Sequence, residues 1–154
     1  MTAAKPWRII LIACLFLPVI PACAQQPVDD SIQRLAQVGT FAFGGVGIAG
    51  ITSQGEKDFR VIMAQPPDRA LALLEQLFKT GNLQAKCYAL AGISVLNPTI
   101  FKEIYHSVVT SNDRVTTMQG CIIWHAALKN VAREIDEGKY DPWLKTKPAA
   151  PTQT

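Results

Sequence analysis

The stretch at residues 83–96, running Leu83-Gln84-Ala85-Lys86-Cys87-Tyr88-Ala89-Leu90-Ala91-Gly92-Ile93-Ser94-Val95-Leu96, limits the fold more than any other part of the chain. Its apolar residues leave almost no polar stripe, and a helix that is apolar nearly all round must be surrounded by other elements. Asn82 stands at the N-cap position, and Asn97-Pro98 turns the chain beyond its far end. One-sided helices are therefore needed around a central one.

The sequence supplies them. Ala70, Leu73, Leu74 and Leu77 form one stripe, flanked by Leu71 and Phe78, with Asp68 as the expected cap and Lys79-Thr80-Gly81 as the stop. After Pro98, the residues Ile100, Phe101, Ile104, Tyr105 and Val108 form another single face. Upstream, Ile32, Leu35 and Ala36 predict a short helix ended by Gly39. Ser53-Gln54-Gly55-Glu56 has capping-box form, so Ser53 should accept a backbone amide while Glu56 reaches back to the serine amide. That helix should run through Phe59, Val61, Ile62 and Met63 to Pro66-Pro67.

Residues 40–52 are uncharged and glycine-rich, a composition that penalises a helix by about 1 kcal/mol per glycine. They predict an extended or looped segment with one or two short strands. Ser111-Asn112-Asp113 marks a loop. Residues 114–124 send two signals, because Val115, Thr116 and Thr117 favour a strand while residues 121–127 suit a helix. The reading preferred here is a helix from about Gln119 through Leu128, Val131, Ala132 and Ile135 to Gly138, with Tyr140-Asp141-Pro142-Trp143 folding back on the core. The expected fold is mainly α, a compact bundle of about five to six helices paired as hairpins, with a glycine-rich loop or short strands near residues 40–52. One helical domain should occupy residues 25–141, followed by a flexible tail at 142–154.

The helix before the Gly81-Asn82 turn, the helix carrying Ala85-Lys86-Cys87-Tyr88-Ala89-Leu90, and the helix after Asn97-Pro98 cover residues 68–110. Together they resemble the packed hairpins of HEAT-type repeats. With residues 43–55 and 115–121 added, the chain also resembles small exported bacterial proteins of no established function. That resemblance implies a helical fold and lends no catalytic residues.

The N-terminus sets the expected compartment. Lys5 and Arg8 precede an apolar run at residues 9–20, then Pro21 and Ala22-Cys23-Ala24, which is the layout of a secretory signal peptide at residues 1–24. The run is too short for a spanning helix, which needs about 20 residues. Cleavage after Ala24 is favoured over the distorted lipoprotein box Ile20-Pro21-Ala22-Cys23, where proline is unusual. The expectation is a periplasmic or secreted protein without a stable transmembrane segment, the alternative being a lipid anchor at Cys23. The formal net charge of +3 includes Lys5 and Arg8, so the processed chain is near neutral, and no basic stripe proposes nucleic acid as a partner. With Cys14 and Cys23 assigned to the leader, an exported domain keeps Cys87 and Cys121. They are expected to form a disulfide stabilising by about 4 kcal/mol, the alternative being two buried free thiols.

Four constellations bear on chemistry. Gly45-Val46-Gly47-Ile48-Ala49-Gly50 matches the G-x-G-x-x-G dinucleotide pattern, yet it lacks the strand, helix and βαβ context that holds a pyrophosphate. Gly50-Ile51-Thr52-Ser53-Gln54-Gly55 is one residue too long for a hydrolase elbow, and Ser53 is explained as a cap. Cys121 and His125 would share a face on a helix, but the expected disulfide competes with a reactive thiol, and His106 and His125 lack the local spacing of zinc ligands. Glu134, Asp136, Glu137 and Asp141, near Lys129, Arg133 and Lys139, read as a salt-bridged helix surface.

No catalytic residue, cofactor or metal is therefore assigned. The expected function is non-enzymatic: an exported domain that binds another protein in the cell envelope, as inhibitor, immunity factor or accessory subunit. Its interaction surface is expected at Phe41, Phe43, Val46, Ile48, Trp124 and Trp143. The alternative is a small envelope hydrolase using Ser53 or Cys121 with His125.

Overall fold

The computed structural model describes residues 26–145; the expected leader with Cys14 and Cys23, and residues 146–154 of the expected tail, lie outside them, while the tail expected from residue 142 is corrected at its start, where Asp141–Leu144 is helical. The chain order is α1 (Gln26–Ala36), β1 (Gly45–Val46), β2 (Ile51–Thr52), α2 (Gln54–Met63), α3 (Pro67–Thr80), α4 (Leu83–Leu96), α5 (Pro98–Val108), β3 (Arg114–Gln119), β4 (Ile122–Ala127), α6 (Leu128–Asp136) and α7 (Asp141–Leu144). The strands form two separate antiparallel hairpins, β1–β2 and β3–β4. The fold is mainly helical, as expected.

Side-chain caps start three helices, two at the expected Asn82 and Ser53 and a third at Asn97, which the sequence marks only as a turn. Asn82 Oδ1 accepts from the Ala85 amide at 2.9 Å, Asn97 Oδ1 from Ile100 at 3.1 Å, and Ser53 Oγ from Glu56 at 3.1 Å. The expected Asp68 cap is corrected: α3 starts after Pro66 with Pro67 in its first turn, which lacks one of the amides a cap would satisfy. Asp68 sits in that turn and complements the helix dipole there.

Helix α4 is the hub. Ala85 and every residue from Cys87 to Ile93 are buried, and α3, α5, α6 and β3 all pack against it. Each neighbour turns its apolar stripe inward: Ala70, Leu74 and Leu77 from α3, Phe101 and Val108 from α5, and Leu128, Val131, Ala132 and Ile135 from α6. Outside this layer, α1 lies on α2, joined by the Arg34 guanidinium donating to both oxygens of buried Asp58. Gln54 also donates to Asp58, at 3.2 Å. Burial pushes the Asp58 carboxyl up, but hydrogen bonds from Arg34, Gln54 and Ser31 outweigh it and hold the group below its ordinary range.

The helix expected from Gln119 is replaced by the β3–β4 hairpin. Its six residue pairs run from Arg114↔Ala127 to Gln119↔Ile122, leaving Gly120 and Cys121 as a two-residue turn. Gly120 has a φ of 56°, as the first central residue of a tight hairpin turn requires. A glycine in mid-helix costs about 1 kcal/mol, and the β-branched and aromatic residues on both sides of it suit a strand, so the helix waits until Leu128.

The glycine-rich segment enters the core. Phe41, Ala42, Phe43 and Val46 are buried, and Phe41 meets Phe43, Tyr88 and Tyr140 edge to face with centroids 5.4, 4.9 and 5.2 Å apart. Its backbone is satisfied almost group by group. Phe41 donates to Thr116 O at 2.9 Å and accepts from Met118 N at 3.1 Å. The Tyr88 hydroxyl donates to Ala42 O at 2.8 Å and accepts from Ala42 N at 3.1 Å. Ser53 Oγ also donates to Ala42 O. The Gly44 amide donates to Glu56 Oε2 at 2.8 Å. Glu56 therefore does not return to the Ser53 amide as a full capping box requires; its other oxygen takes Arg60, and the carboxylate is spent on the loop. Gly44 has a φ of 83°, and a Cβ there would come within 2.8 Å of the Trp143 indole nitrogen.

Replacing Tyr88 by Phe is expected to destabilise by about 1–3 kcal/mol, because the buried Ala42 amide loses its acceptor. The shift should appear in urea unfolding. Burial raises the Tyr88 hydroxyl from 10.0 to about 12, so the native state keeps a proton that the unfolded chain releases. Stability contributed by this group is whole below pH 10 and falls as pH rises towards 12, and the Phe variant should show a shallower alkaline decline.

Candidate functional site

The two hairpins meet end to end. Val46 bridges to Gly120, and the Gly47 amide donates to Gly120 O at 2.9 Å. Gly47 and Gly50, both with positive φ, close the β1–β2 turn through Gly50 N to Gly47 O at 3.1 Å. The G-x-G-x-x-G letters thus form a hairpin turn rather than the strand-to-helix loop that cradles phosphate.

Joining the tips gathers exposed apolar side chains at one end of the molecule. Ile48 is 100% exposed, Ile51 62%, Ile122 69%, Ile123 59% and Trp124 37%. Isolated exposed apolar residues are ordinary, but a group from two touching hairpins has the character of a binding surface. Of the expected surface residues, Ile48 and Trp124 lie here. Trp143 is half-buried against Gly44 and Tyr140. Phe41, Phe43 and Val46 are corrected: they are core residues, because Tyr88, Glu56 and β3 satisfy the backbone that glycine-rich extended chain would otherwise leave bare. Ile51 closes the glycine-rich stretch already expected at the surface, whereas Ile122 and Ile123 are new here; reading Gly120 as a hairpin turn exposes both as apolar residues on the two faces of a two-stranded ribbon.

The groups that hydrolysis would need are not assembled. Ser53 Oγ caps α2 and donates to Ala42 O. Cys121 sits in a turn and His125 in the strand beyond it, on the order of 13 Å along extended chain, so the helical face that would have paired them does not exist. His125 Nδ1 instead lies 3.2 Å from Thr116 Oγ1 on the neighbouring strand. Three of the four acidic groups read as a salt-bridged surface are in ion pairs: Glu134 with Lys139 at 2.8 Å, Asp136 with Lys102 at 2.6 Å and Asp141 with Lys145 at 2.6 Å. Tyr140 also donates to Glu134, and burial pushes its hydroxyl well above the usual tyrosine range. Among the described residues, no three His, Cys, Asp or Glu side chains gather as a metal site requires.

The expected disulfide is also corrected. Cys87 and Cys121 are free thiols, Cys87 enclosed in the middle of α4 and Cys121 exposed at the hairpin turn. Bridging needs Cα atoms within about 7 Å and converging Cβ vectors. Burial drives the Cys87 thiol far above its ordinary value, so it behaves as a small core side chain.

A small cleft and an open groove lie on either side of residues 138–145 among the described residues. A cleft of about 30 Å³ between Phe43, Thr117, Trp124, Tyr140 and Trp143 has room for about one water. An open groove of about 340 Å³ runs between Val95, Phe101, Lys102, Asp136 and Asp141, its carboxylates already matched by lysines. Neither combines enclosure with unpaired polar groups, as a small-molecule site does. No helix among the described residues is long and apolar enough to cross a membrane. No protein-family model matches the chain, and neither a curated protein nor a solved structure matches it.

Thiol titration of the protein lacking residues 1–24 should register one reactive cysteine, Cys121, in the native state and both cysteines after denaturation without reductant. A denatured count of zero would restore the disulfide.

Proposed function

We propose that this chain is an exported, non-enzymatic domain that binds another protein in the cell envelope, serving as an inhibitor, immunity factor or accessory subunit. The observation that carries the reading is the apolar end formed by Ile48, Ile51, Ile122, Ile123 and Trp124 on two joined hairpins. Burying apolar area of this kind contributes about 25 cal/mol per Å², and the aromatic among these residues is of the type that anchors interfaces. The helical bundle beneath supplies a rigid mount, because Val46 and Val115 at the roots of the hairpins are core residues. The leader-like N-terminus supports the compartment, and the near-neutral processed chain supports a partner recognised by apolar contact rather than by charge.

Capture from an envelope extract with the processed chain should recover a stoichiometric protein. Ile48→Lys together with Ile51→Lys should reduce that recovery by about tenfold, as charges placed in a desolvated contact do, while leaving the thermal midpoint unchanged because both side chains are exposed. Repeated capture of nothing by the unmodified chain, or equal capture by the double variant, would remove the proposal.

A further inference from the structure

We draw no further inference here: the strongest candidate, the outer edge of β4 with the exposed apolar side chains of Ile122, Ile123 and Trp124 along it, carries nothing, because nothing in the structure shows what covers it.

Discussion

The structure depends on how uncharged, glycine-rich chain is carried through an apolar interior. A buried peptide group without a partner costs about 1–3 kcal/mol, so the passage of residues 41–44 beneath the surface is stable only if each polar group is met. Tyr88 meets two of them from the centre of α4, using one hydroxyl as donor and acceptor to the same residue, Ala42. Glu56 meets the Gly44 amide, and β3 meets Phe41. This arrangement joins three distant parts of the sequence, and the aromatic cluster of Phe41, Phe43, Phe59, Tyr88 and Tyr140 closes around it.

That junction also determines where the hairpins stand. Phe41 lies along β3, so it anchors the β3–β4 ribbon to the bundle by the edge that faces inward, and Val46 and Gly47 tie the second ribbon to its turn. Both ribbons are too short to be stable alone, since isolated two-stranded hairpins are marginal in water. Their rigidity is borrowed from α4. The cost of the arrangement is that, among the described residues, nothing covers the other edge of β4 or the apolar side chains of either tip, which is a liability in water.

Glu56 illustrates how two structural demands compete for one carboxylate. The capping box read from Ser53 and Glu56 is half realised: the serine oxygen caps the helix, while the glutamate turns to the glycine loop and is balanced by Arg60. Local sequence cannot choose between the Ser53 amide and the Gly44 amide, because both lie within reach of the same side chain in different folds. The same limit applied to Cys87 and Cys121, whose expected covalent link followed from counting cysteines and compartment rather than from position.

Much of the architecture was legible in advance. Periodicity placed α1 to α5 and the inward stripe of α6, Asn82 and Ser53 announced their caps, and the all-round apolar stretch at Leu83–Leu96 announced the hub, because these are local properties of helix geometry. Exposure was less legible: Ile48 and Trp124 are exposed, but Phe41, Phe43 and Val46 are buried, and Ile122 and Ile123 stand exposed on a strand where the sequence suggests a helix. Hydrophobicity tells which residues seek burial, and the sequence by itself determined that this chain must wrap amphipathic helices round one apolar helix. Which apolar residues fail to be buried was decided only in three dimensions, by the Tyr88 and Glu56 hydrogen bonds that draw one uncharged loop inside and by Phe41 on the edge of β3, with no second strand beside β4 among the described residues.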